Sequence, residues 1–147
     1  MKKLFKKFAL AVVALLTFSV GSNYTVKEVK AAETYNLATN LNQFEDGSAV
    51  IIAAHGYDYA MAGVSNSIGQ RIAITRVDNT ISGTDLVEYY LESDGSTENA
   101  YYIKNATGQY LSSPNSNKVT LGNTKDLFTF SFVGETKEIK LSSSLQS

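Results

Sequence analysis

His55 is the only imidazole in the chain. It stands in Ala53-Ala54-His55-Gly56-Tyr57-Asp58-Tyr59, with Asp58 three positions on. Two readings are open: a base or ligand-contacting group beside Asp58, or an exposed histidine in a turn between two strands. A nucleophilic relay needs a serine on a sharp strand-to-helix turn, and no Gly-x-Ser-x-Gly is present. Glu92-Ser93-Asp94-Gly95-Ser96-Thr97-Glu98 gathers three acids around a glycine, which suits calcium through oxygen ligands. It lacks the Asp-x-Asp-x-Asp-Gly spacing, so a solvated hairpin loop is the reading preferred. Two carboxylates astride a glycosidic bond suffice for hydrolysis, but nothing singles out a pair. Gly-x-x-x-x-Gly-Lys-[Ser/Thr] and Gly-x-Gly-x-x-Gly are absent, so nucleotide chemistry has no support. With no Cys, the chain has no disulfide, thiolate zinc site, Cys nucleophile or lipidated cysteine. No catalytic residue, metal ligand or cofactor is assigned, and the expectation is a protein that is not an enzyme.

Binding is a better use of the side chains present. Tyr57, Tyr59, Tyr89, Tyr90, Tyr101, Tyr102 and Tyr110 lie in the body of the chain. A tyrosine ring packs on the apolar CH face of a sugar while its hydroxyl bonds outward. Asp and Asn side chains then fix ligand hydroxyls. Tyr57, Asp58, Asn105 and Tyr110, close to two glycine turns, are the candidate ligand-binding residues. The competing reading is that tyrosine suits strands and fills their walls.

These residues sit on strands and turns. Beyond position 33 no segment keeps a helical period over three turns; apolar residues alternate or come in short bursts between Gly, Asn, Asp and Ser. The expected strands are Ala49–Ala54, Gln70–Val77, Leu86–Leu91, Ala100–Lys104, Tyr110–Ser112, Lys118–Leu121, Leu127–Phe132 and Glu138–Leu141. In Gln70–Val77, Ile72, Ile74 and Arg76 share one face. Phe128, Phe130 and Phe132 repeat every second residue, so one face of that strand is wholly aromatic and is expected to be buried. Thr39–Phe44 has the makings of one helical turn. Asp46-Gly47, Asp78-Asn79, Ser82-Gly83, Asp94-Gly95, Thr107-Gly108, Gly122-Asn123 and Gly134-Glu135 are turn signals. A repeat is faint: Val50-Ile51-Ile52, a Gly turn, Tyr59-Ala60-Met61 and Ser65-Asn66-Ser67 lead to a strand at Arg71. Tyr101-Tyr102-Ile103, Thr107-Gly108, Tyr110-Leu111 and Asn115-Ser116-Asn117 lead likewise to a strand at Lys118.

The chain of 147 residues carries 13 Lys+Arg against 14 Asp+Glu, but unevenly. Positions 1–31 hold six Lys and one acid, which leaves seven basic and thirteen acidic residues, a net of −6, for 32–147. An acidic body disfavours nonspecific nucleic-acid binding. The lysine-rich start runs into Ala9–Val20, twelve mostly apolar residues, short of the ~20 that span a bilayer. This is the pattern of a secretory signal helix over 1–31. Val29-Lys30-Ala31 suits cleavage after Ala31, and Val20-Gly21-Ser22 offers cleavage after Ser22. The remainder, 32–147, is one domain, extracellular or cell-wall associated, with no stable membrane span once the leader is removed. The lysine-rich leader resembles those of Gram-positive bacteria.

Tyr102-Ile103-Lys104-Asn105-Ala106-Thr107-Gly108-Gln109-Tyr110-Leu111 resembles the Ile-x-Asn-x-x-(Ser/Thr)-Gly-x-Tyr-Leu hairpin of β-trefoil domains, ricin-B-like lectin modules among them. Asp46-Gly47-Ser48-Ala49-Val50-Ile51-Ile52 resembles an opening seen in extracellular β modules of bacterial surface proteins and secreted hydrolases. The resemblance spans about residues 35–141. It implies an all-β, trefoil-like barrel of short antiparallel hairpins, and a non-catalytic module holding carbohydrate or a cell-surface polymer in shallow pockets. Two departures stand out. The ricin-type Gln-x-Trp is Gln109-Tyr110-Leu111 here, and a third unit would start near Glu138, close to Ser147, so three readings stay open: an incomplete trefoil, a fragment, or a smaller β fold sharing the same hairpin. An incomplete trefoil would leave an open edge near Ile139 that could pair with another protein. The alternative readings are therefore a secreted protein-interaction or structural β module, acting in adhesion or as an inhibitor, and a small secreted hydrolase.

Overall fold

The computed structural model describes residues 31–134 and 138–146. The leader expected over 1–31 lies, apart from Ala31, outside the described residues, as does Glu135 of the last turn signal. Among the described residues no helix is long and apolar enough to cross a membrane. The described chain is a succession of strands: β1 (Glu33–Asn36), β2 (Ala49–Val50), β3 (Tyr59–Ser65), β4 (Ile68–Ala73), β5 (Thr75–Val77) and β6 (Thr80–Gly83). They continue as β7 (Tyr89–Ser93), β8 (Ala100–Asn105), β9 (Tyr110–Asn115), β10 (Lys118–Gly122), β11 (Phe128–Phe132) and β12 (Ile139–Ser143). The helical turn expected in Thr39–Phe44 is a single 3-10 turn, Leu41–Gln43. Asn40 caps it by accepting from the Asn42 amide, while the Gln43 side chain returns to the Asn40 amide at 3.1 Å, a reciprocal capping box.

All pairings among the described residues are antiparallel, in three sheets: β1-β6-β5, the β3-β4 hairpin, and a larger sheet ordered β10-β9-β8-β11-β12, with β7 joining β8 to β2. Tyr101 pairs with both Ser93 of β7 and Phe128 of β11, and Lys104 pairs with both Tyr90 of β7 and Tyr110 of β9. So β7 lies along one edge of β8, while β11 and β9 divide the other. No sheet closes on itself among the described residues, so the hydrogen-bonded ladders are open and not a closed barrel. One reason is local. The expected strand Ala49–Ala54 follows β7 for only two residues, and then Ala53 turns aside to bridge Ala60 of β3.

The core follows the period of two. Tyr89 and Leu91 of β7, Tyr101 and Ile103 of β8, Leu111 of β9, and Phe128 and Phe130 of β11 form one buried cluster. Phe132, third in the aromatic set, is half-buried at the end of its strand. Phe44 meets Phe130 edge-on at 5.2 Å between ring centres, and Tyr101 lies 5.3 Å from the same ring. A second cluster joins Ala60, Ile74, Ile81 and Leu86. The expected strand Gln70–Val77 is two strands, broken at Ile74, whose amide donates to the Asp58 carbonyl at 3.1 Å. Its alternation nevertheless holds, with Ile72, Ile74 and Arg76 inward and their neighbours exposed. Ser82-Gly83 is not a turn but the end of β6. A Cβ on Gly83 would lie 2.8 Å from Leu86 Cδ2, so the glycine serves close packing there.

The repeat has a backbone counterpart. The Ala54 amide donates to the Tyr59 carbonyl at 2.9 Å, and the Asn105 amide donates to the Gln109 carbonyl at 2.9 Å. Each closes a tight turn that feeds a second hairpin, β3-β4 or β9-β10, and the two hairpins touch where the Val119 amide meets the Ser67 carbonyl at 3.1 Å. This register matches Tyr59 with Gln109 and Ala60 with Tyr110, one place off the alignment suggested by the tyrosines.

Candidate functional site

The first of these turns carries the most exposed aromatic surface. Gly56 sits at φ +71°, where a Cβ would be strained, and lets the chain reverse between Ala54 and Tyr59. Arg76 fixes the turn from beneath. Its Nε donates to the Tyr57 carbonyl at 3.1 Å, a terminal nitrogen donates to the Ala54 carbonyl, and Nε lies 3.7 Å from Asp58 Oδ1. With its backbone held, the Tyr57 side chain stands outward, 66% exposed. Tyr59, 38% exposed, follows on β3, and the Arg71 guanidinium from β4 lies over its ring at 4.7 Å. Tyr57, Tyr59 and Arg71, with Gln70, Met61 and Ala53, line a shallow depression of about 350 Å³ whose walls are mainly apolar. Its edge carries amide and guanidinium donors. Such a surface can stack on an apolar ring face and bond to hydroxyls, and it holds no pair of groups suited to proton transfer.

The four candidate residues do not meet in one pocket. Tyr57 lines the depression and Asp58 lies beside it in sequence, its side chain 74% exposed toward solvent. Asn105 belongs to the second turn. Its Oδ1 accepts from the Thr107 amide (3.1 Å), the Thr107 hydroxyl (2.9 Å) and the Gln109 amide (2.9 Å), while its Nδ2 donates to Gln109 Oε1 at 3.1 Å. That is an Asx turn, and it occupies the amide that was expected to face a ligand. Tyr110 lies on the outer face of the large sheet, and its hydroxyl donates to Glu92 Oε2 at 2.9 Å.

Glu92 is the centre of a charged group that sequence reasoning did not find. Lys125 Nζ donates to its Oε1 at 2.7 Å and Lys104 Nζ to its Oε2 at 3.0 Å. These hydrogen bonds, Lys125's foremost, hold the Glu92 carboxyl down at about 2 and push both lysines up. The signal was there in part. Tyr-Tyr-Leu-Glu and Tyr-Tyr-Ile-Lys each bury their first and third residues and turn the second and fourth to the opposite, more open face. Register then sets Glu92 opposite Tyr102, and Tyr90 opposite Lys104.

His55 and Asp58 form no dyad. His55 Nε2 lies 4.0 Å from Glu138 Oε2, and the ion partner of Asp58 is Arg76. Asp94 spends its carboxylate on its own loop, accepting from the Ser96 and Thr97 amides (3.1 and 2.9 Å) and from both hydroxyls (2.7 and 2.9 Å). The Thr97 amide leads these bonds in holding that carboxyl well below the usual range. Among the described residues no three His, Asp or Glu side chains converge as metal ligands would. Glu33 and Glu88 share the Tyr35 hydroxyl, at 3.1 and 2.8 Å, and Glu88 also accepts from Tyr90 at 3.0 Å. Burial, reinforced by the two carboxylates, pushes that Tyr35 hydroxyl far up. No family model, no curated protein and no solved structure matches this chain.

Proposed function

We propose that the chain is an exported, trefoil-like β module that binds carbohydrate or a cell-surface polymer and leaves it chemically unchanged. The observation that carries this reading is the depression on β3-β4, with two outward tyrosines and the Gln70 and Arg71 donors on one shallow wall. Tyr57 is the platform for a sugar's CH face, Tyr59 and Arg71 form the side, and Gln70 and Asp58 reach ring hydroxyls. Arg76 positions the platform without touching the ligand. Asn105 and Tyr110 lie outside this depression, on the second turn and on β9. Export is supported by the lysine-rich start and the twelve uncharged residues after it. The trefoil-like reading is supported by the repeated turn-plus-hairpin unit and by the way β9 and β11 share one edge of β8.

The test is a glycan array, together with pull-down on purified cell-wall polysaccharide, using the wild-type chain, Tyr57→Ala and Arg71→Ala. Loss of one stacking ring should weaken binding by about tenfold, with the melting temperature unchanged because Tyr57 is exposed. A stable complex with a protein and no response to any glycan would replace this reading with that of an interaction module.

A further inference from the structure

The Glu92 group is built like a receptor for a cation, and it is filled by the chain itself. Tyr102 of β8 and Tyr110 of β9 stand nearly perpendicular, at 82° and 6.2 Å between centres, and so make a corner. Lys125, from the segment between β10 and β11, places Nζ 4.8 Å from the Tyr102 centroid and 4.7 Å from that of Tyr110. The third wall is Glu92 Oε1, 2.7 Å from the same nitrogen. Two electron-rich ring faces and a carboxylate are what an alkylammonium group requires. We propose that Tyr102, Tyr110 and Glu92 form a binding corner for the primary ammonium group of a ligand, with Lys125 as its tethered occupant.

Three features make Lys125 replaceable, not a fixed part of the fold. Its side chain is 48% exposed, and it lies outside the strands. When it leaves, Glu92 keeps Lys104 and the Tyr110 hydroxyl, so no carboxylate is stranded without a partner. Exchange of one ammonium for another preserves the charge and the hydrogen bond to Oε1. A primary amine fits better than a quaternary one, because Lys125 reaches Oε1 as an N–H donor. The tether sets the threshold: a side chain held next to its site competes at an effective concentration in roughly the millimolar range. A lone small amine therefore binds weakly. The corner is on a different hairpin from the Tyr57 depression and does not depend on it.

The experiment is a titration of the isotope-labelled full chain with n-propylammonium chloride, read by amide and tyrosine-ring shifts, with sodium chloride matched for ionic strength. In Lys125→Ala the shifts at Glu92, Tyr102 and Tyr110 should saturate. If Lys125 is seated about nine-tenths of the time, the wild-type chain should bind about tenfold more weakly. Adding Glu92→Gln to Lys125→Ala should abolish the saturable shifts. Lys125→Ser reads the same way should the alanine variant lose the native spectrum. A folded Lys125 variant with no saturable shift at these residues, or one whose binding Glu92→Gln leaves intact, overturns the proposal.

Discussion

Asp126 is 0% exposed, and its carboxylate is surrounded by donors from two separate stretches of chain. Oδ2 accepts from the Ser113 amide at 2.8 Å and the Ser143 hydroxyl at 2.6 Å; Oδ1 accepts from the Ser144 amide and hydroxyl, both at 3.0 Å. The residue thereby clasps β9 and the end of β12 to the entry of β11. In Asp126→Ala the Ser143 hydroxyl keeps a partner, since its Oγ already lies 3.1 Å from the Ser113 carbonyl. The Ser144 amide keeps one too, the Leu127 carbonyl at 3.0 Å, which leaves the Ser113 amide as the stranded donor, at a cost of about 1–3 kcal/mol. The expected loss is about 2 kcal/mol, a sizeable share of the roughly 5–15 kcal/mol that holds a domain together. The melting temperature should fall by on the order of 10 °C. Asp126→Asn should cost less, because its Nδ2 fits beside Ser144, whose amide still reaches the Leu127 carbonyl and whose hydroxyl can accept, while its Oδ1 keeps the Ser113 amide. Urea unfolding followed by circular dichroism measures both variants, and hydrogen exchange should show loss of protection first at Ser113. An Asp126→Ala chain within about 1 kcal/mol of wild type, with an unchanged denaturant slope, would refute the clasp.

The same structure sets other expectations. The Tyr89 hydroxyl is buried with no hydrogen-bond partner, so Tyr89→Phe should raise stability by about 1 kcal/mol in the same assay; a loss of that size would show a hidden partner. Phe130→Ala, which removes the ring shared by Phe44 and Tyr101, should cost about 3–5 kcal/mol. Glu92 falls from an ordinary 4.5 to about 2 on folding. The folded chain therefore binds fewer protons there, and the resulting stability is complete above pH 4.5 and fades as pH drops toward 2. With Glu92 partly solvated, the amount is about 1 kcal/mol. Comparison of wild type with Glu92→Gln across that window should show the difference narrowing as acid is added, and a constant difference would contradict it.

The features legible in the sequence were those that depend on near neighbours. The period-two phenylalanines, the Ile72/Ile74/Arg76 face, the 3-10 turn before Asp46-Gly47 and most glycine turns all depend on local spacing. Tyr57 was legible too, because a tyrosine beside a glycine turn has little to hide it. Asn105 was read as a ligand contact because an asparagine in a turn can face outward or fold back on its own amides, and spacing alone does not choose. The Tyr110 hydrogen bond is not legible in local spacing, because its partner, Glu92, lies 18 residues away. Ser82-Gly83 has the composition of a turn, but Leu86 packs where a side chain would be. Asp126 gave no signal, since its donors come from positions 113, 143 and 144 and only tertiary folding brings them together. Barrel closure was inferred from the hairpin resemblance, which is local, whereas closure depends on strand length and register.

The most direct test of the sugar-binding account is a titration with an oligosaccharide selected on the array, followed through the tyrosine ring protons of the full chain. The account predicts that Tyr57 and Tyr59 shift and saturate together, that buried Tyr89 and Tyr101 stay in place, and that Arg76→Ala weakens binding by loosening the turn. Saturable binding that leaves Tyr57 and Tyr59 unmoved, or that persists at full strength in Tyr57→Ala, would contradict it.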